Sequence, residues 1–399
     1  MLPLSGFRIL DLTNVLAGPF CCHQLAHLGA EVVKVEAPAT GDLARQLGAD
    51  VRLSDQRMGV SFLAQNAGKK SITLNLKHPD GKALFEQLVE SADALVENFR
   101  PGVMDRLGLG WEKLNTINSR LVYCAISGYG QTGPMSDQPA YDQIVQGVSG
   151  LMSITGAQES APLRTGFPVC DTIGGLTAAM AVCSALAGPK DVRKGRYLDV
   201  SMLEATLAAM GWVVSDYLIG GREPAPNGNE NATAAPSGTF LTADGLLNIA
   251  ANKQEQWQAL ARHLGCEHLL VHPDFAEREV RKKNRVALKS ELEKYLAGKS
   301  ASEWAAELAA IGVPAGPVLP VAEILASEHI RSRDLIAHYS NVPGIDRPID
   351  VLRPGVKIDG AAPSVSAPPP RLGEHQSEVL AELGLSDDDI EALRKRGAI

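Results

Sequence analysis

One carboxylate, Asp171, lies inside the otherwise uncharged segment GFPVCDTIGGLTAAMAV, residues 166 to 182. Aspartate is a preferred N-cap residue, because its side chain accepts a hydrogen bond from a free backbone N–H of the next turn. Gly174 and Gly175 favour a second interpretation, since each costs the start of a helix roughly 1 kcal/mol relative to alanine. Glycine lets a ligand or another backbone approach closely. Asp171 is therefore either a helix cap or a reactive carboxylate that a substrate can reach.

Two other reactive residue types stand in contexts that favour structural roles. Cys170 would need a neighbouring base or positive charge to form a thiolate, and the sequence has no histidine from residue 79 to 262. His23 and His27 lie four residues apart, but no third ligand follows at H-E-x-x-H spacing. We therefore predict a buried, inert Cys170 and no metal site.

Basic side chains gather near the ends of two predicted strands. Lys69, Lys70 and Lys77 surround a short strand in KKSITLNLKHPDG, and Arg100 and Arg106 follow the apolar run ALVENF. Solvated surface charge is one explanation for these side chains. Open α/β sheets bind ligands beyond the carboxyl ends of their strands, where arginine suits phosphate. A phosphate-bearing ligand is the other explanation.

The first strand, turn and helix have the layout of a dinucleotide site without its glycines. The turn reads NVLAGPF and lacks G-x-G-x-x-G, so the backbone cannot approach a pyrophosphate in the usual way. The layout predicts a Rossmann-like scaffold that holds a different ligand at its switch point.

Composition argues against several classes of partner. The 399 residues are 45% hydrophobic and 21% charged, which is typical of a globular protein of two domains. A net charge of -8 makes nucleic acid and anionic membranes poor partners. The six cysteines show no disulfide framework or zinc spacing, and the first residues lack a basic segment followed by a long apolar one. We expect a cytoplasmic protein.

The hydrophobic pattern predicts an α/β fold in two domains. Strand-like runs alternate with helix-like segments, which is the pattern of a parallel sheet covered by helices; the runs are residues 7–12, 31–36, 94–99 and 121–127. We predict a large Rossmann-like domain from residues 1–205 plus 330–399. Residues 206–235, rich in Gly, Pro and Asn, form a predicted linker to a smaller α/β domain at 236–325.

Seven ordered segments together resemble the class III CoA-transferase family, of the formyl-CoA transferase and carnitine-CoA transferase type. They are GFRILDLTNVLAGPFCCHQLAHLGAEVVKVEAP, GDLAR, NAGKKSITLNLKHPDG, VENFRPGVMDRLGLGWEKL, ISGYGQTGP, AYDQIVQGVSGLMSITG and the Asp171 segment. The resemblance runs from residue 4 to 220 and resumes at PAGPV and PRLGEH. It implies an enzyme with acyl-CoA as substrate, no permanently bound cofactor, and a homodimer of two interlocked rings.

The same resemblance implies that Asp171 is the catalytic nucleophile. Its carboxylate would attack the thioester of a donor acyl-CoA and give a mixed anhydride with free CoA thiolate. The thiolate would then form an aspartyl-CoA thioester and release the donor acid. An acceptor carboxylate would reverse these steps and leave with CoA.

The resemblance also assigns residues to the CoA molecule. Leu16 and Ala17 would contact it through their backbone, Leu74 and Lys77 would line the adenine and phosphate region, and Asn98, Phe99 and Arg106 would hold the nucleotide end. The sequence departs from the family in two places. Ala37 stands where some members carry arginine, and no glycine-rich loop follows residue 236, so active-site protection is expected to differ.

Two alternatives remain beside the transferase. A 2-methylacyl-CoA racemase of the same superfamily would carry a histidine base where this chain has Tyr141, and tyrosine, with a reference pKa near 10, is a poor base at pH 7. A non-catalytic CoA-binding protein would tolerate loss of the carboxylate. Transfer is favoured over both.

The choice of acids is the least determined part of the prediction. Arg45 and Arg164 could each pair with the second carboxylate of a dicarboxylic acid, with Tyr141 as a third candidate substrate contact. Succinyl-CoA is therefore the expected donor. Solvated surface positions are an equal alternative for both arginines.

Overall fold

The computed structural model describes residues 1–399, and its largest sheet has six parallel strands. They are β1 (Arg8–Leu12), β2 (Glu31–Glu36), β3 (Lys69–Thr73), β4 (Ala94–Glu97), β5 (Val122–Ser127) and β6 (Arg196–Ser201). Their spatial order is β3-β2-β1-β4-β5-β6, and every neighbouring pair is parallel. Because this is the strand order of the Rossmann fold, the predicted α/β class is confirmed.

Helices connect the strands and form the rest of the framework. They are α1 (Ala17–His27), α2 (Val51–Asp55), α3 (Val60–Leu63), α4 (Pro79–Ser91), α5 (Val103–Arg106), α6 (Trp111–Ile117), α7 (Asp142–Val148), α8 (Val169–Leu186), α9 (Met202–Ala209), α10 (Gly211–Gly220), α11 (Gln254–His263), α12 (Arg278–Lys283), α13 (Arg285–Leu296), α14 (Ala301–Ala310), α15 (Val321–Leu325), α16 (Glu328–Ser332), α17 (Gln376–Ala381) and α18 (Asp387–Lys395). Short 3-10 turns lie at Leu43–Gln46, Met152–Ile154 and Glu267–Leu270.

The sheet is buried on both faces, which explains why its strands are near-continuous apolar runs. Alternate residues of a strand point to opposite faces. Leu10 and Val33 therefore belong to one core with side chains of α4, α17 and α18. Ile9 and Val32 belong to a second core with side chains of α1 and α8. The two cores hold the sheet on both faces. Loops follow the carboxyl ends of its strands and lie along that edge of the sheet.

The C-terminal segment joins this sheet along β3. The N–H of His375 donates to Ser71 O at 2.9 Å, and the N–H of Thr73 donates to Gln376 Oε1 at 2.7 Å. Helix α17 follows directly and packs its Val379 into the first core. The tail thus belongs to the same unit as residues more than 300 positions earlier in the chain.

Contacts divide the chain into two compact units. The large unit comprises Met1–Leu151, Arg164–Arg222 and Glu328–Ile399, and the small unit comprises Met152–Leu163 and Glu223–Ser327. Residues 206–220 of the predicted linker are mostly helical, in α9 and α10, and fall in the large unit. Residues 152–163, predicted within the large domain, fall in the small unit.

The small unit is built on a separate antiparallel sheet. Its strands β7 (Ser237–Leu241), β8 (Leu246–Ala250) and β9 (Ala315–Pro317) are arranged in that order. Trp257, Leu292 and Trp304 from α11, α13 and α14 fill its core. In the large unit, β10 (Ile336–Tyr339) and β11 (Ile349–Leu352) form an antiparallel pair.

Helix α8 is long and apolar enough, by length and composition, to cross a membrane. The bent pair α9 and α10 passes the same test only when taken as one span. Within the large unit α8 packs against α1 and buries Ala178 and Val182 in the second core. It also carries Asp171 in its first turn.

Candidate active site

Asp171 lies in the first turn of α8, whose N-cap position is Pro168. The free N–H groups at this helix start are satisfied by a different carboxylate. Asp142 Oδ1 accepts from Cys170 N at 2.8 Å and from Asp171 N at 3.4 Å. The interpretation of Asp171 as the helix cap is therefore wrong, because Asp142 of α7 accepts these hydrogen bonds instead.

Asp142 is itself held by a short chain of hydrogen bonds. Its Oδ2 accepts from Gln146 Nε2 at 2.6 Å, and Gln146 Oε1 accepts from Thr165 N at 3.0 Å and from Thr165 Oγ1 at 3.1 Å. Asp142 and Gln146 are both buried. They fix the segment that leads into α8, and with it the position of Asp171.

The electrostatic environment of Asp171 makes its carboxylate unusually basic. Burial, together with the negative charge of Asp142, raises the pKa of Asp171 from 3.8 to about 7. A strongly shifted titratable group inside a cleft is a functional-site candidate. At neutral pH this carboxylate is poised between its protonated and ionised forms.

The two glycines after Asp171 allow α8 to pack closely against its neighbours. A Cβ at Gly175 would lie 2.5 Å from Ala17 O, and one at Gly174 would lie 2.9 Å from Met202 Cγ. The atoms that approach these glycines closely are therefore protein atoms and not a ligand, and the nearest belongs to the backbone of α1. The glycines bring Asp171 next to the N-terminus of α1.

A cavity of about 360 Å³ brings most of the predicted site residues together at the carboxyl ends of the strands. Its walls come from the segments after β1, β4, β5 and β6, and the predicted residues among them are Leu16, Ala17, Asn98, Phe99, Tyr141 and Asp171. Strands β1 and β4 are the pair at which the strand order reverses. The cavity therefore lies at the switch point where open α/β sheets bind ligands.

A second cavity of about 440 Å³ holds Leu74 and Lys77, together with Phe99. The two cavities share Asn14 and Phe99 as wall residues. Lys77 is exposed, so its ammonium is free to meet an anionic ligand. Adjoining cavities of this kind suit an elongated ligand that is anionic at one end and reaches Asp171 at the other.

The loops between the cavities are fixed by side chains from the strand ends. Asn98 Oδ1 accepts from Asn14 N at 2.8 Å, and Asn98 Nδ2 donates to Asn14 O at 2.8 Å. Glu97 Oε2 accepts from Phe99 N at 2.7 Å, and burial raises the pKa of Glu97 to about 8. Sequence reasoning missed Asn14 and Asp142, because their partners are 84 and 28 residues away in the chain. It also missed Glu97, whose bond to Phe99 N is local, because a strand-end carboxylate of this kind has no sequence pattern that separates it from a solvated one.

The structure places three predicted arginines outside the two cavities. Arg106 is exposed at the end of α5, whose first residue, Val103, lines the second cavity. Arg164 is exposed and lines neither cavity. Arg45 is fully buried, with Nε and Nη2 each 2.7 Å from oxygens of Glu36. Its guanidinium has no free edge for a substrate carboxylate, so that expectation is corrected.

Other candidates also turn out to be structural. Lys69 is buried, and its Nζ donates to Asp11 Oδ2 at 2.9 Å. Lys70 pairs with Glu31 at 2.6 Å. Burial raises the pKa of the Cys170 thiol to about 11, so this thiol has little tendency to ionise. The structure has no group of three or more His, Cys, Asp or Glu side chains placed to hold a metal ion.

The site is a ligand cavity at the switch point of a Rossmann-type sheet, and it contains a carboxylate with a raised pKa. Similarity to known proteins identifies the family. The model of CoA-transferase family III matches residues 4–376. This chain therefore belongs to CoA-transferase family III, as the resemblance implied, and it is an acyl-CoA-dependent transferase of that family.

Individual relatives match over nearly the whole chain. Succinyl-CoA:glutarate CoA-transferase of Mus musculus is 35% identical over 400 residues, which cover 100% of this chain and 91% of that protein. Acetyl-CoA:oxalate CoA-transferase of Acetobacter aceti is 39% identical over 350 residues, which cover 88% of this chain and 89% of that protein. The crystal structure of a CaiB/BaiF family protein from Brucella suis superposes with a TM-score of 0.84 at 34% identity, covering 96% of this chain and 99% of that one.

Proposed function

We propose that the protein moves CoA from succinyl-CoA to a small dicarboxylic acid through covalent intermediates on Asp171. The observation that carries the proposal is the position of Asp171, a carboxylate with a pKa of about 7 in a cavity at the switch point. The choice of acids is supported by the names of relatives, which are CoA-transferases for succinyl-CoA and glutarate, for succinate and glutarate, and for succinyl-CoA and D-citramalate.

The proposed reaction has two exchanges at one carboxylate. An Asp171 oxygen attacks the thioester carbonyl of succinyl-CoA, the C–S bond breaks, and CoA leaves as thiolate from a mixed anhydride. The thiolate attacks Cγ of Asp171 and expels succinate, which leaves an aspartyl-CoA thioester. The acceptor carboxylate attacks this thioester to form a new anhydride, and the returning thiolate attacks the acceptor's carbonyl, so that Asp171 is regenerated.

The cavity walls supply the remaining parts of the proposal. The first N–H groups of α1, at Ala17 and Gly18, have no partner within the helix, and such groups stabilise negative charge on a reacting carbonyl. Leu16 and Ala17 contact the thioester end of CoA, and Phe99 lies between the two cavities. Leu74, Lys77 and Arg106 are assigned to the nucleotide end, with Tyr141 and Arg164 as candidate contacts of the acids. Asn98 lines the Asp171 cavity rather than the second one, and it holds Asn14 in the wall between them.

We predict that the rate of transfer depends on the ionisation of Asp171. In the wild type, kcat/KM for succinyl-CoA should fall as pH decreases below about 7, because protonation removes the nucleophile. Asp142→Asn removes a nearby negative charge, so it lowers the pKa of Asp171 and moves this fall to lower pH, by roughly one unit or less. Kinetics measured from pH 5 to 9 check the shift.

Asp388→Asn is the matched control for this profile, since Asp388 is exposed in the first turn of α18. Its profile should coincide with that of the wild type. A shift of the Asp142→Asn profile to higher pH would contradict the electrostatic role assigned to Asp142.

We also propose that the protein is a homodimer. Large apolar side chains stand exposed on two helices of the large unit that both contact α9: Trp212 (76%), Leu218 (73%) and Ile219 (87%) of α10, and Met180 (64%) of α8. Exposed apolar patches of this kind mark protein interfaces. The interlocked form rests on the family resemblance. Light scattering should give about twice 42.3 kDa, and a stable monomer would refute the dimer.

A panel of carboxylates with succinyl-CoA as donor tests the function directly. Formation of the acceptor's CoA thioester, with release of succinate, is the expected result for at least one C4–C6 dicarboxylic acid. Incubation with a 2-methylacyl-CoA in deuterated water should give no deuterium at C2, which separates transfer from racemisation. CoA binding without exchange for any acid would favour the non-catalytic alternative and refute the proposal.

A further inference from the structure

The loop between β1 and α1 has an unfavourable backbone conformation at Val15. Its φ of 67° is in the left-handed region, where a β-branched side chain is a genuine outlier. Strain of this kind persists only where the surroundings impose it, and it clusters at functional sites. Leu16, the next residue, is the N-cap of α1 and has no side-chain cap of its own.

One side chain, Asp42, holds Val15 in this conformation. Asp42 Oδ1 accepts from Val15 N at 2.9 Å and from Ala44 N at 2.9 Å. The backbone of Asp42 is fixed in turn, since its N–H donates to Glu36 Oε2 at 2.9 Å. Val15 is therefore held from the end of β2, the neighbouring strand.

The carboxylate of Asp42 belongs to a fully buried ionic cluster. Lys34 Nζ lies 3.0 Å from Asp42 Oδ2 and donates to Thr13 O at 2.7 Å. Lys69 Nζ donates to Asp11 Oδ2 at 2.9 Å, and Thr13 N donates to Asp11 Oδ1 at 2.9 Å. Lys34, Lys69, Asp11 and Asp42 are all buried. Thr13 is thus fixed by two charged side chains, Lys34 and Asp11, and Val15 by one, Asp42. Asn98 fixes Asn14 between them.

This loop forms the wall between the two cavities. Asn14 lines both of them, and Val15, Leu16 and Ala17 line the Asp171 cavity. We infer that Asp42 is a positioning residue for CoA transfer: by holding Val15 left-handed, it places the backbone at the start of α1 against the thioester end of CoA. The inference rests on the proposed function and assigns Asp42 no contact with substrate.

A purely structural role for Asp42 makes a different prediction. As the cap of the 3-10 turn at Leu43–Gln46 and the partner of Lys34, Asp42 would contribute to stability whatever residue stood at position 15. A positioning role depends on the residue at 15, because glycine adopts a positive φ without strain. The two roles are separated by changing Asp42 in the presence of valine and of glycine at that position.

The test is a double-mutant cycle of Asp42→Ala and Val15→Gly. With Val15 unchanged, Asp42→Ala should lower kcat about 100-fold, since a small misplacement of a catalytic group has effects of this size. In the Val15→Gly background the same change should lower kcat less than about 10-fold. The melting temperature should fall by a similar amount in both backgrounds, because the ion pair with Lys34 is lost in both.

Asp93→Ala is the matched control. Asp93 is a buried carboxylate at the opposite, amino edge of the sheet, where it accepts from Arg8 N at 3.0 Å and pairs with Arg193 at 2.6 Å. The Asp93→Ala protein should melt at a lower temperature than the wild type and should have the same kcat. An equal loss of kcat from Asp42→Ala in both backgrounds, or a comparable loss from Asp93→Ala, would overturn the inference.

Val15→Pro keeps the inference testable if Asp42→Ala does not fold. Proline has no N–H for Asp42 and cannot adopt a positive φ, so this variant should lose at least about 100-fold in kcat while remaining folded. A folded Val15→Pro enzyme with wild-type kcat would overturn the inference.

Calorimetric titration with free CoA separates this inference from the proposed function. Asp42→Ala should weaken CoA binding about 10-fold with Val15 unchanged and less in the Val15→Gly background, even if no acid serves as acceptor. Wild-type exchange activity combined with equal effects of Asp42→Ala in both backgrounds would refute the inference alone. Absence of exchange in the wild type, with the CoA-binding cycle as expected, would refute the proposed function alone.

Discussion

Replacing Asp171 with asparagine is expected to lower CoA transfer by about 10⁴-fold or more, as the loss of a covalent nucleophile does elsewhere. The asparagine side chain has nearly the same shape, so α8 and the cavity stay intact, but an amide does not form the anhydride. Affinity for CoA should change only a few-fold. Initial rates with succinyl-CoA and calorimetric titration with CoA measure the two effects.

Mass spectrometry gives an independent readout of the same prediction. Wild-type protein incubated with succinyl-CoA should carry a covalent adduct on the peptide that contains Asp171, and hydroxylamine should remove the adduct and inactivate the enzyme. The Asp171→Asn protein should carry none. Asp387→Asn, at the first turn of α18, is the control and should behave as wild type. Turnover of the asparagine variant within tenfold of the wild type would refute the nucleophile.

Local sequence patterns were sufficient for the sheet, but they left Asp171 open between a helix cap and a reactive carboxylate. Strands such as β5 are short apolar runs between helical segments, and a parallel sheet buried on both faces requires that pattern. Asp171 was singled out because it is the one charge in an apolar segment and is followed by two glycines that weaken the start of a helix, whereas its role as nucleophile was implied by the family resemblance. Both signals lie within a few residues of sequence, where propensity and periodicity operate.

The support of the site could not be predicted, because it depends on contacts between distant residues. Asp142 caps α8 from 28 residues earlier in the chain, and Asn98 binds Asn14 across 84 residues. No local pattern distinguishes such side chains from solvated ones. The structure differs most from the prediction at Arg45 and Lys69. Each was predicted as a possible ligand contact, and each is instead paired with a buried carboxylate inside the protein.

Arg45→Met is expected to destabilise the fold by about 3–5 kcal/mol, because breaking a buried ion pair leaves an uncompensated charge. Glu36, which stays behind, is only 5% exposed. Arg45 also donates from Nη1 to Pro370 O at 3.2 Å and stacks 3.6 Å above the Phe62 ring. With roughly 2–4 °C per kcal/mol for a large domain, the melting temperature should fall by about 10 °C.

The double variant Glu36→Gln/Arg45→Met separates the charge from the packing. It removes both charges, so it should regain part of the lost stability, as replacement of buried pairs by neutral side chains often does. Arg52→Met, at a side chain that is 85% exposed, should change stability by less than about 0.5 kcal/mol. If Arg45 bound the acid instead, Arg45→Met would raise KM for the acceptor and leave the melting temperature unchanged. The buried geometry predicts the reverse, a lower melting temperature with KM for the acceptor preserved in the folded fraction.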